Sequence, residues 1–431
     1  MAAGATRIRN VTLFPGVRDG RALPIVPQGA VLIEDGRFVY AGAEASAPDA
    51  KVASDIDGQG MLLMPALVNA HTHSAMTLFR GAGADLPLKQ WLYDVIFPLE
   101  AKLTPEMARV GVQLSMLEYL RCGVTTVNEM YFYPRDFARL AGEAGMRALV
   151  CDACVDFGDP QGQLDNALGF FREFHGEFGG RVRASVSVHA EYTSTPELVR
   201  RVVDSSRGLD NVVHTHLCET AGEVRDCLKR HGVTPVRYFH DLELFGMPTV
   251  AAHGVHVSDE DLDILASDGV TVALSPYSNL KLAAGIAPAA RMLERGVKVA
   301  IGTDSAASND SLDLFGEMKL TGTLHKGTTG NPSAFPPTAV LEAATVSGAR
   351  AMGFQQVGLI REGWEADCVL LDMSAPNILP NRDVPSALVY AARGDNVRMT
   401  MARGRVLYRD GEYMTVDRER VLREAAALAL G

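Results

Sequence analysis

The sequence predicts an α/β fold: a (β/α)8 TIM barrel carrying a small β-sandwich domain built from both chain ends. Three observations predict it. Eight apolar, β-branched runs alternate with amphipathic stretches through the middle of the chain. The most reactive side chains stand just after those runs, where a barrel opens its mouth. Both chain ends break instead into short strand-like pieces punctuated by Gly, Pro and Asp.

The elements follow in order. Residues 6–59 read as strand pieces, and Asp35-Gly36 inside the alternating stretch 30–40 is a hairpin signal. The barrel runs are 62–70, 125–130, 147–153, 184–190, 211–217, 249–254, 270–275 and 297–303. Their near-continuous hydrophobicity suits strands covered on both faces. Amphipathic stretches at 107–121, 196–206, 221–231, 259–267 and 287–295 lie between them. Thr104-Pro105, Thr195-Pro196 and Ser258-Asp259-Glu260 are helix-start signals. A doubly wound open sheet would want a Gly-rich phosphate turn after its first strand, and the sequence has none there. The tail returns to strand style at 366–372 and 397–408, with Arg409-Asp410-Gly411 as a turn. Neither end suffices for a core alone. The expected division is 1–61 and 356–431 as two halves of one β-sandwich, with 62–355 as the barrel.

Composition narrows the function. The chain has 431 residues, 47% hydrophobic and 22% charged, which supplies a core of ordinary globular size. A net charge of -11 without a compensating Lys/Arg cluster argues against nucleic acid as a partner. No stretch approaches the roughly 18 apolar residues of a membrane span, and the start, Met1 to Asn10, lacks the apolar core of a signal peptide. Six cysteines in so long a chain make no disulfide framework, and Cys151 and Cys154 read as strand residues. The expectation is a cytoplasmic protein with a small-molecule substrate, no membrane partner, and self-association into a homo-oligomer as an open alternative.

Chemistry concentrates at the strand ends. His71 and His73 close the first run, and residues at i and i+2 of a strand share a face. The fifth run ends in His214-Thr215-His216, with Glu219 three residues on; the sixth ends at His253 and the eighth at Asp304. Three imidazoles and a carboxylate, His71, His73, His216 and Asp304, make a site for one divalent ion: zinc first, with iron or manganese as alternatives. Such an ion lowers the pKa of its water from about 15.7 toward 7. Glu219 is placed to move protons, and His253 to hold the resulting hydroxide on the line of attack. His214 lies one layer deeper and reads as a core histidine. His189 ends the fourth run as either a substrate contact or a structural residue. His175, His231, His240, His256 and His325 receive no role.

These pieces together resemble the amidohydrolase superfamily, nearest the branch of methylthioadenosine/S-adenosylhomocysteine deaminases with their chlorohydrolase and guanine-deaminase relatives. The matching segments are residues 64–73, Leu78-Phe79-Arg80-Gly81, Trp91-Leu92, His216-Leu217-Cys218-Glu219-Thr220, Ala251-Ala252-His253, Ser278 to Leu282, Gly302 to Asn309 and the tail run 362–367. They extend over nearly the whole chain. The resemblance implies that Glu219 protonates a ring nitrogen, that Asp304 accepts the proton of the metal-bound water, and that His253 steadies the hydroxide. It implies a single ion as well, since two-metal members bridge through a modified lysine on strand four, and 183–190 has no lysine.

By the same resemblance, Trp91 forms an aromatic wall, Glu100 takes the ribose hydroxyls, His189 contacts purine or ribose, and Ser308 lines the mouth near the metal. Packing or surface roles remain the alternatives for Trp91 and Glu100. Members that handle S-adenosylhomocysteine are expected to grip its carboxylate with arginines after strand three. Here 151–164 is acidic and has none. The expected reaction is deamination of an adenine nucleoside: adenosine, 5'-deoxyadenosine, methylthioadenosine or the S-adenosylhomocysteine type. The alternatives are another N-heterocycle (guanine, pterin or triazine, with amine or chloride leaving) and a barrel scaffold without catalysis.

Overall fold

The structure, a computed structural model, describes residues 4–429; residues 1–3, part of the start read above for a leader, and 430–431 lie outside it. Eight parallel strands stand where the apolar runs predict them, in two four-stranded sheets. Strands one to four are Leu67–Thr72, Val124–Met130, Arg147–Cys154 and Val182–Val188; strands five to eight are Val213–Leu217, Thr249–His253, Thr271–Leu274 and Lys298–Ile301. All residues of strands one, two, five, six and seven are buried, which is why their sequences do not alternate. The helices between them begin where their caps predict. The hydroxyls of Thr104, Thr195 and Ser258 accept from the N–H groups of Met107, Leu198 and Asp261.

The two sheets meet along both edges. Between strands four and five the His216 N–H donates to the His189 carbonyl at 2.9 Å. Between strands eight and one the Asp304 N–H donates to the His71 carbonyl at 3.0 Å. Asn69 reinforces this second edge, accepting from the Thr303 N–H at 3.0 Å and donating to the Thr303 hydroxyl at 2.7 Å. Gly302 permits the approach, because a Cβ there would lie 2.7 Å from the His71 backbone nitrogen.

Both chain ends join one nine-stranded sheet. Its hairpin Val26–Glu34 to Arg37–Ala43 turns at Asp35 and Gly36, with φ of 47° and 78°, the two positive values that a type I′ turn requires. Asp410 and Gly411 turn the last hairpin in the same way, at 48° and 95°. The sheet covers its own apolar cluster, which includes Ile8, Phe38, Leu63, Leu370 and Met399. The run 62–70, expected as one strand, is two. Met61–Pro65 pairs with Ala5–Leu13 and Cys368–Asp372 in the nine-stranded sheet, and Leu67–Thr72 is strand one. Nearly every residue in both halves is buried, so hydrophobicity carries no mark of the break. It falls at Ala66, whose N–H turns to the Asp367 carbonyl.

Arg147, buried at the start of strand three, ties the tail to the parallel strands. Its guanidinium donates to Asp367 at 2.7 Å and to Glu365 at 2.8 Å, so a costly buried charge is met by two carboxylates. All six cysteines are free and buried, Cys151 and Cys154 within strand three. No helix among the described residues is long and apolar enough to cross a membrane.

Candidate metal centre and active site

The strand mouths bring His71, His73, His216, His253 and Asp304 to one point. The Nε2 atoms of His71 and His73 each lie 3.3 Å from Asp304 Oδ1, and His216 Nε2 lies 3.4 Å from His73 Nε2. Two overlapping triads, His71/His73/Asp304 and His71/His216/His253, have their ligand atoms within 4.8 Å of one another.

The opposite nitrogens are engaged. His73 Nδ1 bonds the Met130 carbonyl, His216 Nδ1 the His189 carbonyl at 3.1 Å, and His71 Nδ1 lies 2.9 Å from His214 Nε2. With the protons on Nδ1, the Nε2 lone pairs face the common point, as the outer bonds of metal-bound histidines arrange. His71 Nε2 is buried and has no hydrogen-bond partner. Burial pushes His71 down to about 3 and lowers His73 and His216 as well, so all three are neutral at pH 7, the form that ligates.

Burial alone would raise Asp304. The close approach of His71 and the neighbouring His73 and His253 imidazoles outweigh it and hold the carboxylate below its usual range. Its Oδ2 accepts from Ser278 Oγ at 2.5 Å and Ser308 Oγ at 2.9 Å, leaving Oδ1 toward the imidazoles. An orphaned buried nitrogen, three neutral imidazoles and one carboxylate fit a divalent ion of the zinc type.

His253 differs from the other histidines. Its Nδ1–H donates to Asn279 Oδ1 at 2.9 Å, and its Nε2 lies 3.9 Å from Glu219 Oε1. Burial opposes its charge, but Glu219 and Asp304 together with the Asn279 bond raise its pKa. Glu219 is raised by burial, partly offset by His253. Cys218, His253 and Asp304 all sit at positive φ (50°, 76° and 57°), unusual for residues with a Cβ. Such strain collects where surrounding structure enforces a functional geometry.

A cavity of about 1250 Å³ opens above this point. Trp91, Glu100, His189 and Ser308 all line it. The Trp91 indole N–H is bound to the Ala82 carbonyl at 2.9 Å, so its ring face is what remains for a ligand. Glu100 accepts from the Tyr131 hydroxyl at 2.7 Å and is raised by burial. His189 is pushed down to about 4 by burial and is therefore neutral at pH 7. The Ser308 hydroxyl lies 2.9 Å from Asp304 Oδ2 and 3.2 Å from the Ser305 carbonyl, the carboxylate being the nearer acceptor. His214 is buried as expected, yet it also supports His71.

Sequence reasoning missed several residues. Ser278 and Asn279 support Asp304 and His253; they follow strand seven, a position that marks the mouth. Arg135 and Arg139 bring arginine to the cavity wall from the helix Pro134–Ala144, not from the segment after strand three where arginine was sought. Their i, i+4 spacing shows a shared face, but only packing shows what it looks into. Arg135 is bound to Glu173 and Asn166, each at 2.9 Å. Asp152, also on the wall, accepts from Asn166 Nδ2 at 2.8 Å, and burial raises its carboxyl to about 6.

Residues 62–407 match the family described as the amidohydrolase family. A 5-methylthioadenosine/S-adenosylhomocysteine deaminase of Moorella thermoacetica is 42% identical over 401 residues, 92% of this chain and 94% of its own length. A 5'-deoxyadenosine deaminase of Methanothermobacter thermautotrophicus is 41% identical over 407 residues, 94% of this chain and 95% of its own. Among solved structures, a zinc-bound adenosine deaminase from Xanthomonas campestris superposes with a TM-score of 0.94 at 33% identity, covering 98% of this chain and 97% of that one.

Proposed function

The chain belongs to the amidohydrolase family, and on that premise we propose that it is a hydrolase of C–N bonds, a metal-dependent deaminase releasing ammonia from an adenine nucleoside. The observation that carries the reading is the convergence of His71, His73, His216 and Asp304 at the floor of a cavity that Glu219 and His253 also face. Relatives that deaminate 5'-substituted adenosines match over nearly the full chain.

We assign one zinc ion to His71, His73, His216 and Asp304, an assignment supported by a strand four without lysine. Held by these four residues, a divalent ion would bring the pKa of a water molecule toward 7. The chain's own groups do the rest. Glu219, whose carboxyl burial raises, gives a proton to the ring nitrogen beside the amine-bearing carbon. Asp304 takes one proton from the attacking water and passes it to the departing amine; as ammonia leaves, the new hydroxyl gives up its remaining proton, which restores Glu219, and a ring carbonyl remains. His253, held by Asn279, hydrogen-bonds the water oxygen and keeps it in line.

Trp91 offers a flat wall, Glu100 accepts from ribose hydroxyls, and His189 contacts purine or ribose. Ser308 serves the reaction through Asp304. The two edge contacts between the sheets support a closed barrel over 62–355. The nine-stranded sheet supports the β-sandwich of 1–61 and 356–431, with Met61–Pro65 added to it. Six buried free thiols suit a cytoplasmic setting.

Ammonia release across a panel tests the reading. Adenosine, 5'-deoxyadenosine and methylthioadenosine are expected to exceed guanine, pterins and triazines by at least about 10²-fold in kcat/KM, because a site built to bond a sugar and adenine leaves polar groups unpaired with the others. A faster reaction with guanine or a triazine overturns it.

Asp152 makes a further expectation. Its carboxyl, raised to about 6, is ionised above that pH and repels a substrate carboxylate; below it the carboxyl is neutral. The kcat/KM ratio of S-adenosylhomocysteine to methylthioadenosine is therefore expected to rise as pH falls through about 6. The Asp152→Arg protein is expected to raise the same ratio about tenfold at neutral pH. A ratio unmoved by either change removes Asp152 from the substrate's path.

A further inference from the structure

Glu223 is buried and absent from the proton pathway above. It occupies the third position of the helix Ala221–His231, whose N-cap is Thr220. In the usual Thr-x-x-Glu box the glutamate reaches back to the N–H of the cap residue itself. Here the threonine half is kept, with Thr220 Oγ1 accepting from the Glu223 N–H at 3.1 Å. The carboxylate reaches past the cap. Oε1 accepts from the Cys218 N–H and Oε2 from the Glu219 N–H, each at 2.8 Å.

The other side of the same turn is held as well. The Cys218 carbonyl accepts from the N–H groups of Val255 and His256 at 3.0 and 2.9 Å. Cys218 thus sits at φ 50° with its amide gripped by Glu223 and its carbonyl gripped by the loop that follows His253. Two bonds from one carboxyl group to consecutive amides are more than a helix cap needs. They fix the backbone from which the Glu219 side chain leaves, and the carbonyl clamp ties that backbone to His253.

We propose that Glu223 is a positioning residue for the proton donor: its two carboxylate oxygens hold the 218–219 backbone in the conformation that sets Glu219 against His253 and the substrate ring. This rests on the role given to Glu219 above. A residue acting through the aim of another lowers the rate of the chemical step while leaving substrate binding and metal content in place.

The test compares Glu223→Gln with the wild-type enzyme. Gln keeps the length of the side chain but turns an amide NH2 toward one of the two N–H groups. Expected are a fall in kcat of about 10²-fold, KM within a few-fold of wild type, unchanged metal content, and faster amide hydrogen exchange in the peptide containing Cys218 and Glu219. Glu223→Asp, which keeps the carboxyl group but retracts it by about 1.5 Å, is expected to lose rate too, and it serves where the Gln protein fails to fold. Wild-type kcat in either variant overturns the proposal. So does a loss of rate that only tracks lost metal or a lowered melting temperature, or exchange at 218–219 that does not change. If instead the wild-type enzyme turns over no adenine nucleoside, the functional reading fails, while the exchange measurement still decides whether the clasp exists.

Discussion

Glu219→Gln is expected to lower kcat by about 10³-fold with adenine nucleosides while the protein keeps its metal. Glu219 is buried beside His253, with 3.9 Å between Oε1 and Nε2, and faces the cavity floor. Burial raises its carboxyl, which favours the protonated form that a donor to the ring needs. Gln reproduces the volume and a hydrogen-bond donor but cannot surrender a proton. Glu219 lies outside both groups of converging ligand atoms, so metal content is expected to match wild type. The effect should fall on kcat and kcat/KM alike, because a proton delivered only in the transition state contributes little to ground-state binding. Ammonia release under saturation, with metal analysis on the same preparation, checks both halves. A variant that keeps its rate contradicts the role; one that loses metal with its rate makes Glu219 part of the metal site instead.

Much of this site was legible because a barrel places its chemistry where apolar runs stop. His71, His73, His216, His253 and Asp304 each follow or end a run, and the structure brings them together. The helices 196–206, 221–231 and 259–267 have the bounds that caps and periodicity predict. The hidden parts share a physical cause. The break at Ala66 lies within a run buried on both faces, so no change of hydrophobicity marks it. Arg135 and Arg139 belong to a helix whose exposed and cavity-facing sides are alike polar. Glu223 reads locally as half of a capping box, and only the fold of the preceding turn reveals its partners. The orientation of the imidazoles was hidden for the same reason: the carbonyls of Met130 and His189 carry no signal in their residue types, yet they set the tautomers of His73 and His216.

Asp304→Asn is expected to be the most damaging single conservative change, because the carboxylate holds two duties at once. Oδ1 lies 3.3 Å from both His71 Nε2 and His73 Nε2, on the side assigned to the ion. Oδ2 accepts two serine hydroxyls, which orient the group and leave it free to exchange a proton with water. An asparagine must turn its NH2 to one side or the other. Toward the imidazoles, it donates into lone pairs needed for ligation. Toward the serines, it forces both hydroxyls to reverse, and the remaining oxygen is a neutral and weaker ligand. Either way the site loses a negative charge and its proton acceptor. The backbone should tolerate the change, since φ is 57° here and Asn is among the side chains that adopt this region most readily. The variant should therefore melt like wild type, which separates chemistry from folding. Wild-type protein is expected to hold about one ion per chain, and Asp304→Asn clearly less after dialysis. Added zinc should refill the site yet leave kcat at least about 10³-fold down, since the proton acceptor is still missing. Full recovery of rate with zinc would reduce Asp304 to a ligand alone. Undiminished metal together with undiminished rate would dismantle the four-ligand centre from which the deaminase reading is built.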